Sequence, residues 1–265
     1  MTGFVDNDIM QTIKEFSLLD DAFMTKVFEN NIPCTELVLH IILEDDKIKV
    51  KQVRTQNKVK NLQGHDLTLD ILAEKEDGTQ FNIEIQNESS GAIAKRARYH
   101  MSVLDANSLP SGAGYKSLPD NYVIFITRHD VLKAKLPLYH VERTIRENGR
   151  LFGDGSQIIY VNNQIQGDTP LGLLMHDFAC KEPEKMHYKE LAERVEFLKR
   201  TKEGHDAMGG AMERLVKKYE KKAVEERNRE IAMRMLEDGM EVALVSRYAQ
   251  LSEDEVRKLA GMRSA

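Results

Sequence analysis

The sequence predicts an α/β fold with an α-helical C-terminal extension, and three features carry this prediction. In residues 64–87, apolar and polar residues alternate along two segments, which is typical of half-buried β-strands joined as a hairpin. Residues 122–127 and 157–161 are apolar runs of strand length, which suit strands that are covered on both faces. From about residue 169 onward, apolar residues recur at helical intervals among charges, so helices are expected there.

Composition and charge indicate a soluble protein with one main domain and an appendage. The chain has 265 residues, 41% of them hydrophobic, which is enough to bury a core. Its formal net charge of -5 gives no overall basic character, so a nucleic-acid contact would have to come from a local patch. No secretory pattern opens the sequence, the longest apolar run is too short to cross a bilayer, and Cys34 and Cys180 are the only cysteines. These features predict a cytoplasmic protein in a reducing compartment, without a membrane partner.

Two helices and a strand are predicted ahead of the hairpin. Residues 16–28 place apolar side chains near helical spacing, with Asp20 or Asp21 as the N-cap. Glu36 lies in the first turn of a second, mostly buried helix, and a strand over residues 48–53 follows. The helix dipole favours an acid at the position of Glu36 whatever its role, so this position alone does not assign a function.

The hairpin of residues 64–87 is predicted to set two acids side by side. A loop of residues 76–78 with Gly78 in the left-handed conformation closes it, and counting outward puts Asp70 opposite Glu84. Cross-strand Cβ atoms lie about 5 Å apart. Two carboxylates at this distance repel each other unless a cation lies between them or one of them is protonated. The pair therefore suggests a divalent-metal site, for which oxygen ligands favour Mg²⁺ or Mn²⁺ over zinc. An ordinary hairpin with its polar face in water is the alternative.

A basic helix is predicted after the hairpin, within residues 88–104. Lys95 and Arg98 can share one face of it, with Arg96 and Tyr99 nearby. Cations beside a metal site could hold backbone phosphates of a nucleic acid. For each of these residues taken singly, a solvated charged face is the commoner role.

The chain is predicted to have three parts. Residues 1–168 form the core, residues 169–210 a helical continuation packed on it, and residues 211–265 a charged helix with a short helical tail. Within the second part, His176 has no ligand-spaced neighbour in the sequence, so a structural role is expected.

The tail allows more than one interpretation. Residues 212–237 form a charged helix whose thin apolar stripe lacks heptads, so bridging, packing on a partner or weak self-pairing into a homo-oligomer stay open. Two short helices follow, the second opened by a capping box, Ser252-x-x-Glu255. Their spacing fits a helix-turn-helix, but the acids at residues 253–255 would repel phosphates. A protein-packing role is therefore favoured over DNA recognition.

A resemblance to a known family extends over nearly the whole chain. The segments that carry it are, in order, residues 35–37, 61–64, 69–73, 82–86, 95–99, 122–127, 159–162, 172–178 and 236–252. Together they resemble the PD-(D/E)xK nuclease family transposases, which are related to the recombination-promoting nucleases of bacteria.

The resemblance implies a restriction-endonuclease-like core, in which a mixed central sheet is flanked by helices. It implies that Asp70 and Glu84 hold Mg²⁺, with Mn²⁺ as a substitute, and that Glu36 is a further ligand. Gln86 occupies the lysine position of the superfamily, two residues after the glutamate. Glutamine can hydrogen-bond the attacking water but brings no positive charge, which a basic neighbour such as Lys95 or Arg98 could supply.

The predicted function is that of a Mg²⁺-dependent deoxyribonuclease, an endonuclease linked to transposition or DNA recombination. Its partner is DNA, and its predicted catalytic residues are Asp70, Glu84, Gln86 and Glu36. The predicted DNA phosphate contacts are Lys95, Arg96, Arg98 and Tyr99. The alternative is a catalytically weak or inactive relative that acts as a DNA- or protein-binding module through its helical C-terminal part.

Overall fold

The computed structural model describes residues 13–60, 66–87 and 89–261, and its centre is a six-stranded mixed sheet. The strands are β1 (Val50–Val59), β2 (Leu67–Lys75), β3 (Gln80–Gln86), β4 (Asn121–Thr127), β5 (Leu138–Val141) and β6 (Ser156–Asn162). The helices are α1 (Asp21–Phe28), α2 (Ile32–Leu43), α3 (Ala94–Ser108), α4 (Pro170–Ala179), α5 (Lys189–Arg200), α6 (Lys202–Glu237), α7 (Val242–Ala249) and α8 (Glu253–Gly261).

The sheet has the strand order β1-β2-β3-β4-β6-β5. Its first three strands are antiparallel neighbours, β3, β4 and β6 run parallel, and β5 closes the far edge antiparallel to β6. The mixed sheet with flanking helices confirms the predicted fold class.

The predicted hairpin is formed by β2 and β3, and its register is the predicted one. Gly78 has a φ of 88°, in the region that favours glycine, and its N–H donates to the Lys75 carbonyl over 3.1 Å. The pairs Ile71 with Ile83 and Leu72 with Asn82 follow from this turn. Continued by one residue, the same register sets the predicted acids opposite each other.

Helices cover both faces of the central strand β4, which explains its unbroken apolar sequence. On one face, Met101 and Leu104 of α3 pack against Val123 and Phe125. Side chains alternate along a strand, so Ile124 and Ile126 point to the other face, where they are fully buried as well. Helices α1, α2, α4 and α5 pack against one another through a second set of buried apolar and aromatic side chains.

Two predicted boundaries differ from the observed ones. Helix α2 begins at Ile32 because Asn31 caps it, its side chain accepting from the N–H of Cys34, and because proline is accommodated in a first turn. Strand β1 starts at Val50 and continues to Val59, beyond the predicted residues 48–53, because its polar second half pairs with β2.

The chain divides into two compact units, residues 1–212 and 213–265, and α6 has a non-helical break at Gly209. In the second unit, Ala232, Val245, Ala249 and Val256 form a small core that joins the end of α6 to α7 and α8. The predicted capping box is present, since Ser252 N–H donates to the Glu255 carboxylate over 2.9 Å. Within the described ranges, none of the helices has the length and apolar character needed to span a membrane.

Candidate active site

The two acids of the hairpin lie side by side and are held by each other's strands. The N–H of Asp70 donates to Glu84 Oε1 over 3.2 Å, and the N–H of Ile85 donates to Asp70 Oδ2 over 3.0 Å. The Glu84 side chain is fully buried, and Asp70 is half-buried. The sheet backbone therefore fixes two carboxylates close together at one position.

Burial and proximity shift the titration of both acids. Burial is the main cause that raises the pKa of Glu84, and the neighbouring Asp70 raises it further. Burial also raises the pKa of Asp70, and the Asp21 carboxylate adds to that shift. A pair with raised pKa values retains a proton at higher pH than free carboxylates do, unless a cation compensates its charge.

Helix α3 turns an arginine and a histidine toward this pair. Arg96 lies 3.3 Å from Glu84 Oε2, and its Nε donates to Nε2 of His100 over 3.2 Å. Nδ1 of His100 lies 3.0 Å from the side-chain amide of Asn82 and 3.6 Å from Glu84 Oε1. Burial, with a contribution from Arg96, lowers the pKa of His100 to about 4.

The cation beside the acids is therefore Arg96, whereas Lys95 and Arg98 were expected to supply it. Residues 95 and 98 are exposed on α3, because the apolar side chains around Ala97 turn the opposite side of the helix inward. Tyr99 is partly exposed. Among the predicted phosphate contacts, Arg96 lies against the acidic pair.

Gln86 lies on the same side of β3 as Glu84, two residues further along. Its side chain packs closely against Gly91, where an added Cβ would overlap Gln86 Oε1. The Gly91 carbonyl accepts from Arg96 Nη1 over 2.9 Å. Gln86 and Arg96 thus both contact Gly91.

A third acid, Asp21, approaches the pair from the start of α1. Gln56 in β1 donates from Nε2 to Asp21 Oδ1 over 3.1 Å and lies 3.4 Å from Asp70 Oδ1. Gln56, the residue that joins the two acids, has a φ of 50°, a left-handed conformation that is uncommon for a residue with a Cβ. In the sequence, Asp21 was noted only as an N-cap, because nothing in its local pattern places it beside Asp70.

The structure does not bring Glu36 to this pair. Glu36 Oε1 accepts from the N–H of Val50 over 2.8 Å, and Lys49 lies 3.7 Å from its other oxygen. Val50 pairs with Lys75, five residues along β2 from Asp70, which is about 17 Å at the rise of a strand. Glu36 therefore holds the start of β1 at the opposite end of the hairpin.

A second cluster surrounds His176, for which the sequence predicted a structural role. His176 and His187 both direct Nδ1 at Asp177 Oδ1, over 3.1 and 3.0 Å. The buried Asp177 carboxylate also accepts the N–H groups of His187 and Tyr188, over 2.9 and 2.8 Å. The two histidines come from different elements, so the sequence gives no spacing signal. Because the Asp177 carboxylate accepts all of these hydrogen bonds, it holds the segment before α5 against α4.

The fold and the paired acids define a restriction-endonuclease-like α/β core. A family model described as PD-(D/E)XK nuclease family transposase matches residues 27–169, more than half of the chain. The chain therefore belongs to the PD-(D/E)XK nuclease family transposases. A second family model, the C-terminal HTH domain of the Rpn/YhgA-like nuclease family, matches residues 225–261. No curated protein and no solved structure matches the chain.

The second match corrects the interpretation of the tail. The sequence favoured protein packing because α8 opens with the acids at residues 253–255. The match identifies the end of α6 with α7 and α8 as a helix-turn-helix domain instead. The nuclease and helix-turn-helix domains together point to DNA as the partner.

Proposed function

We propose that the protein is a divalent-metal-dependent DNA endonuclease that hydrolyses phosphodiester bonds in transposition or DNA recombination. The observation that carries the proposal is the Asp70–Glu84 pair, which is close, largely buried and fixed by backbone hydrogen bonds. Membership of a nuclease family and a helix-turn-helix domain support DNA as the substrate.

The residues present fit Mg²⁺. Asp70 and Glu84 offer carboxylate oxygens, the ligands that this hard cation prefers, and Gln56 links Asp70 to a further acid, Asp21. Both acids of the pair have raised pKa values, and a dication relieves the repulsion that contributes to them. Bound there, Mg²⁺, or Mn²⁺ in its place, would supply Lewis-acid polarisation of the scissile phosphate.

The neighbouring side chains position water and charge. The Gln86 amide orients the attacking water by hydrogen bonds, without adding charge. Arg96, held against Glu84, brings positive charge to the place where the superfamily uses lysine, and this charge stabilises the phosphate as negative charge develops on it. On the exposed side of the same helix, Lys95 and Arg98, together with Tyr99, hold backbone phosphates.

The proposal is tested by cleavage of supercoiled plasmid with purified full-length protein and Mg²⁺ or Mn²⁺. Asp70→Asn should abolish nicking, because it removes a ligand charge from the pair. Glu36→Gln is the matched control and should retain nicking, because Glu36 bonds Val50 at the other end of the hairpin. Equal nicking by wild type and Asp70→Asn would assign the activity to another site or to a contaminant.

An inactive relative that binds DNA through the helix-turn-helix domain is the second candidate function. Glutamine at position 86 and the match over residues 225–261 favour it. Under this hypothesis the protein binds duplex DNA, while calorimetric titration with Mg²⁺ and Mn²⁺ shows no binding at the acidic pair.

A further inference from the structure

The segment that follows β4, residues 128–136, is a basic loop built around a single acid. Asp130 accepts the N–H of Lys133 over 2.9 Å, the N–H of Lys135 over 2.7 Å and the hydroxyl of Tyr139 over 2.8 Å. These hydrogen bonds lower the pKa of Asp130, although burial opposes them. The only carboxylate of the basic loop therefore accepts hydrogen bonds from the backbone of the loop itself.

Two lysines of this loop have a backbone conformation that favours glycine. Lys133 has a φ of 61° and Lys135 a φ of 58°, and L-residues with a Cβ adopt this region at a cost. The Asp130 carboxylate offsets that cost by accepting both N–H groups. The chain thus carries two long cationic side chains where glycine would be easier to accommodate, which is the kind of outlier that indicates a function.

The cations of the loop are exposed and lie outside the ion pairs of the described residues. Arg128, His129, Lys133 and Lys135 are all exposed. Among the ion pairs of the described residues, none joins any of these four side chains to an acid. The result is a local positive surface on a chain whose formal net charge is -5.

The basic loop lies next to the candidate active site. The Arg128 N–H donates to the Gln86 carbonyl over 3.0 Å, and Arg128 Nε donates to Asn87 Oδ1 over 2.9 Å. Gln86 is two residues from Glu84, or about 7 Å along the strand. The start of the loop therefore lies beside the end of β3, and Lys133 and Lys135, bonded through Asp130 to Tyr139 of β5, continue from there toward the β5 edge of the sheet.

We propose that the basic loop of residues 128–136 binds the phosphate backbone of the DNA that is cut at the acidic pair. The inference rests on the proposed nuclease function and adds the surface along which the substrate lies. Lys133 and Lys135 contact phosphates, and Asp130 is a positioning residue that fixes the backbone carrying them. Such contacts carry no sequence information and set the register of the duplex relative to the acids.

The test is the salt dependence of duplex DNA binding by the full-length protein, measured by fluorescence anisotropy. Each phosphate contact contributes about 0.9 to the slope of log K against log salt. Lys133→Gln/Lys135→Gln should therefore lower the slope by about 1.8, and Lys133→Arg/Lys135→Arg should restore it. The matched control is Lys47→Gln/Lys116→Gln, which removes two exposed cations beside the opposite edge of the sheet and should leave the slope unchanged. An unchanged slope in the Lys133→Gln/Lys135→Gln protein, or an equal loss in the control, overturns the inference.

A second measurement needs no variant. Acetylation of wild-type protein by acetic anhydride, followed by mass spectrometry, should show that duplex DNA protects Lys133 and Lys135, while Lys47 and Lys116 stay reactive. Equal reactivity of all four lysines with and without DNA overturns the inference.

Asp70→Asn should retain the protection and the slope although it loses cutting. A wild-type protein that shows loop-dependent binding but cuts no DNA refutes the nuclease proposal and leaves the loop assignment standing.

Discussion

Glu84→Gln tests whether the buried acidic pair carries an electrostatic cost in the metal-free protein. Burial and Asp70 raise the pKa of Glu84 above its ordinary value of 4.5. An acid whose pKa is higher in the folded than in the unfolded state destabilises the fold above the unfolded pKa. That cost disappears as the pH falls from the folded pKa to the unfolded one.

The size of the effect follows from proton linkage. Between the two pKa values, the free energy of unfolding of wild type rises by at most about 1.36 kcal/mol for each pH unit of acidification. Glutamine at position 84 does not titrate. From about pH 6.5 to about pH 5, wild type should therefore gain up to about 2 kcal/mol relative to Glu84→Gln.

The assay is urea unfolding of both proteins in EDTA at the two pH values. Glu76→Gln serves as the control, because Glu76 is an exposed acid in the loop of the same hairpin and should follow wild type. Parallel stability curves for wild type and Glu84→Gln, or a relative loss of wild-type stability on acidification, would refute the account of the pair.

Three further predictions concern the groups around the pair. Arg96→Gln removes a charge that lowers the pKa of Glu84, so the acid limb of the pH profile of nicking should move to higher pH. An unchanged acid limb would show that Arg96 does not influence the titration of the acidic pair. Gly91→Ala forces the Gln86 side chain out of its contact, and nicking should fall at least severalfold while urea unfolding changes by no more than about 1–3 kcal/mol. Asp21→Asn should weaken Mg²⁺ binding about tenfold, roughly 1.4 kcal/mol by calorimetry, and unchanged affinity would show that Asp21 is no ligand.

The opposition of Asp70 and Glu84 could be predicted from sequence because it depends on local rules. The turn at Gly78 fixes the pairing, and the alternation of apolar residues fixes the face, so one register satisfies both. The buried strand β4 was predictable for a similar reason, since its unbroken apolar run suits only a position covered on both sides.

The remaining parts of the site depend on tertiary packing. Arg96 and His100 are four residues apart on α3, so their shared face could be foreseen, but the packing of the helix on the sheet decides that this face turns toward Glu84. Gln56 links Asp21 to Asp70, a contact between distant segments with no local signal. The sequence placed Glu36 in the first turn of a helix, where the dipole favours an acid whether or not it is a ligand, but α2 begins at Ile32, so Glu36 lies beyond that turn.

Calorimetric titration of the wild-type protein with Mg²⁺ near neutral pH, in two buffers of different ionisation enthalpy, tests the central claim most directly. Because both carboxyl pKa values are raised, Mg²⁺ must displace a proton from the pair, so binding should release protons, up to about one per site. Glu84→Gln should bind at least about tenfold more weakly and release fewer protons. Wild type that binds no Mg²⁺, or Glu84→Gln that binds with the same affinity and proton release, would contradict the assignment of Asp70 and Glu84 as the metal site.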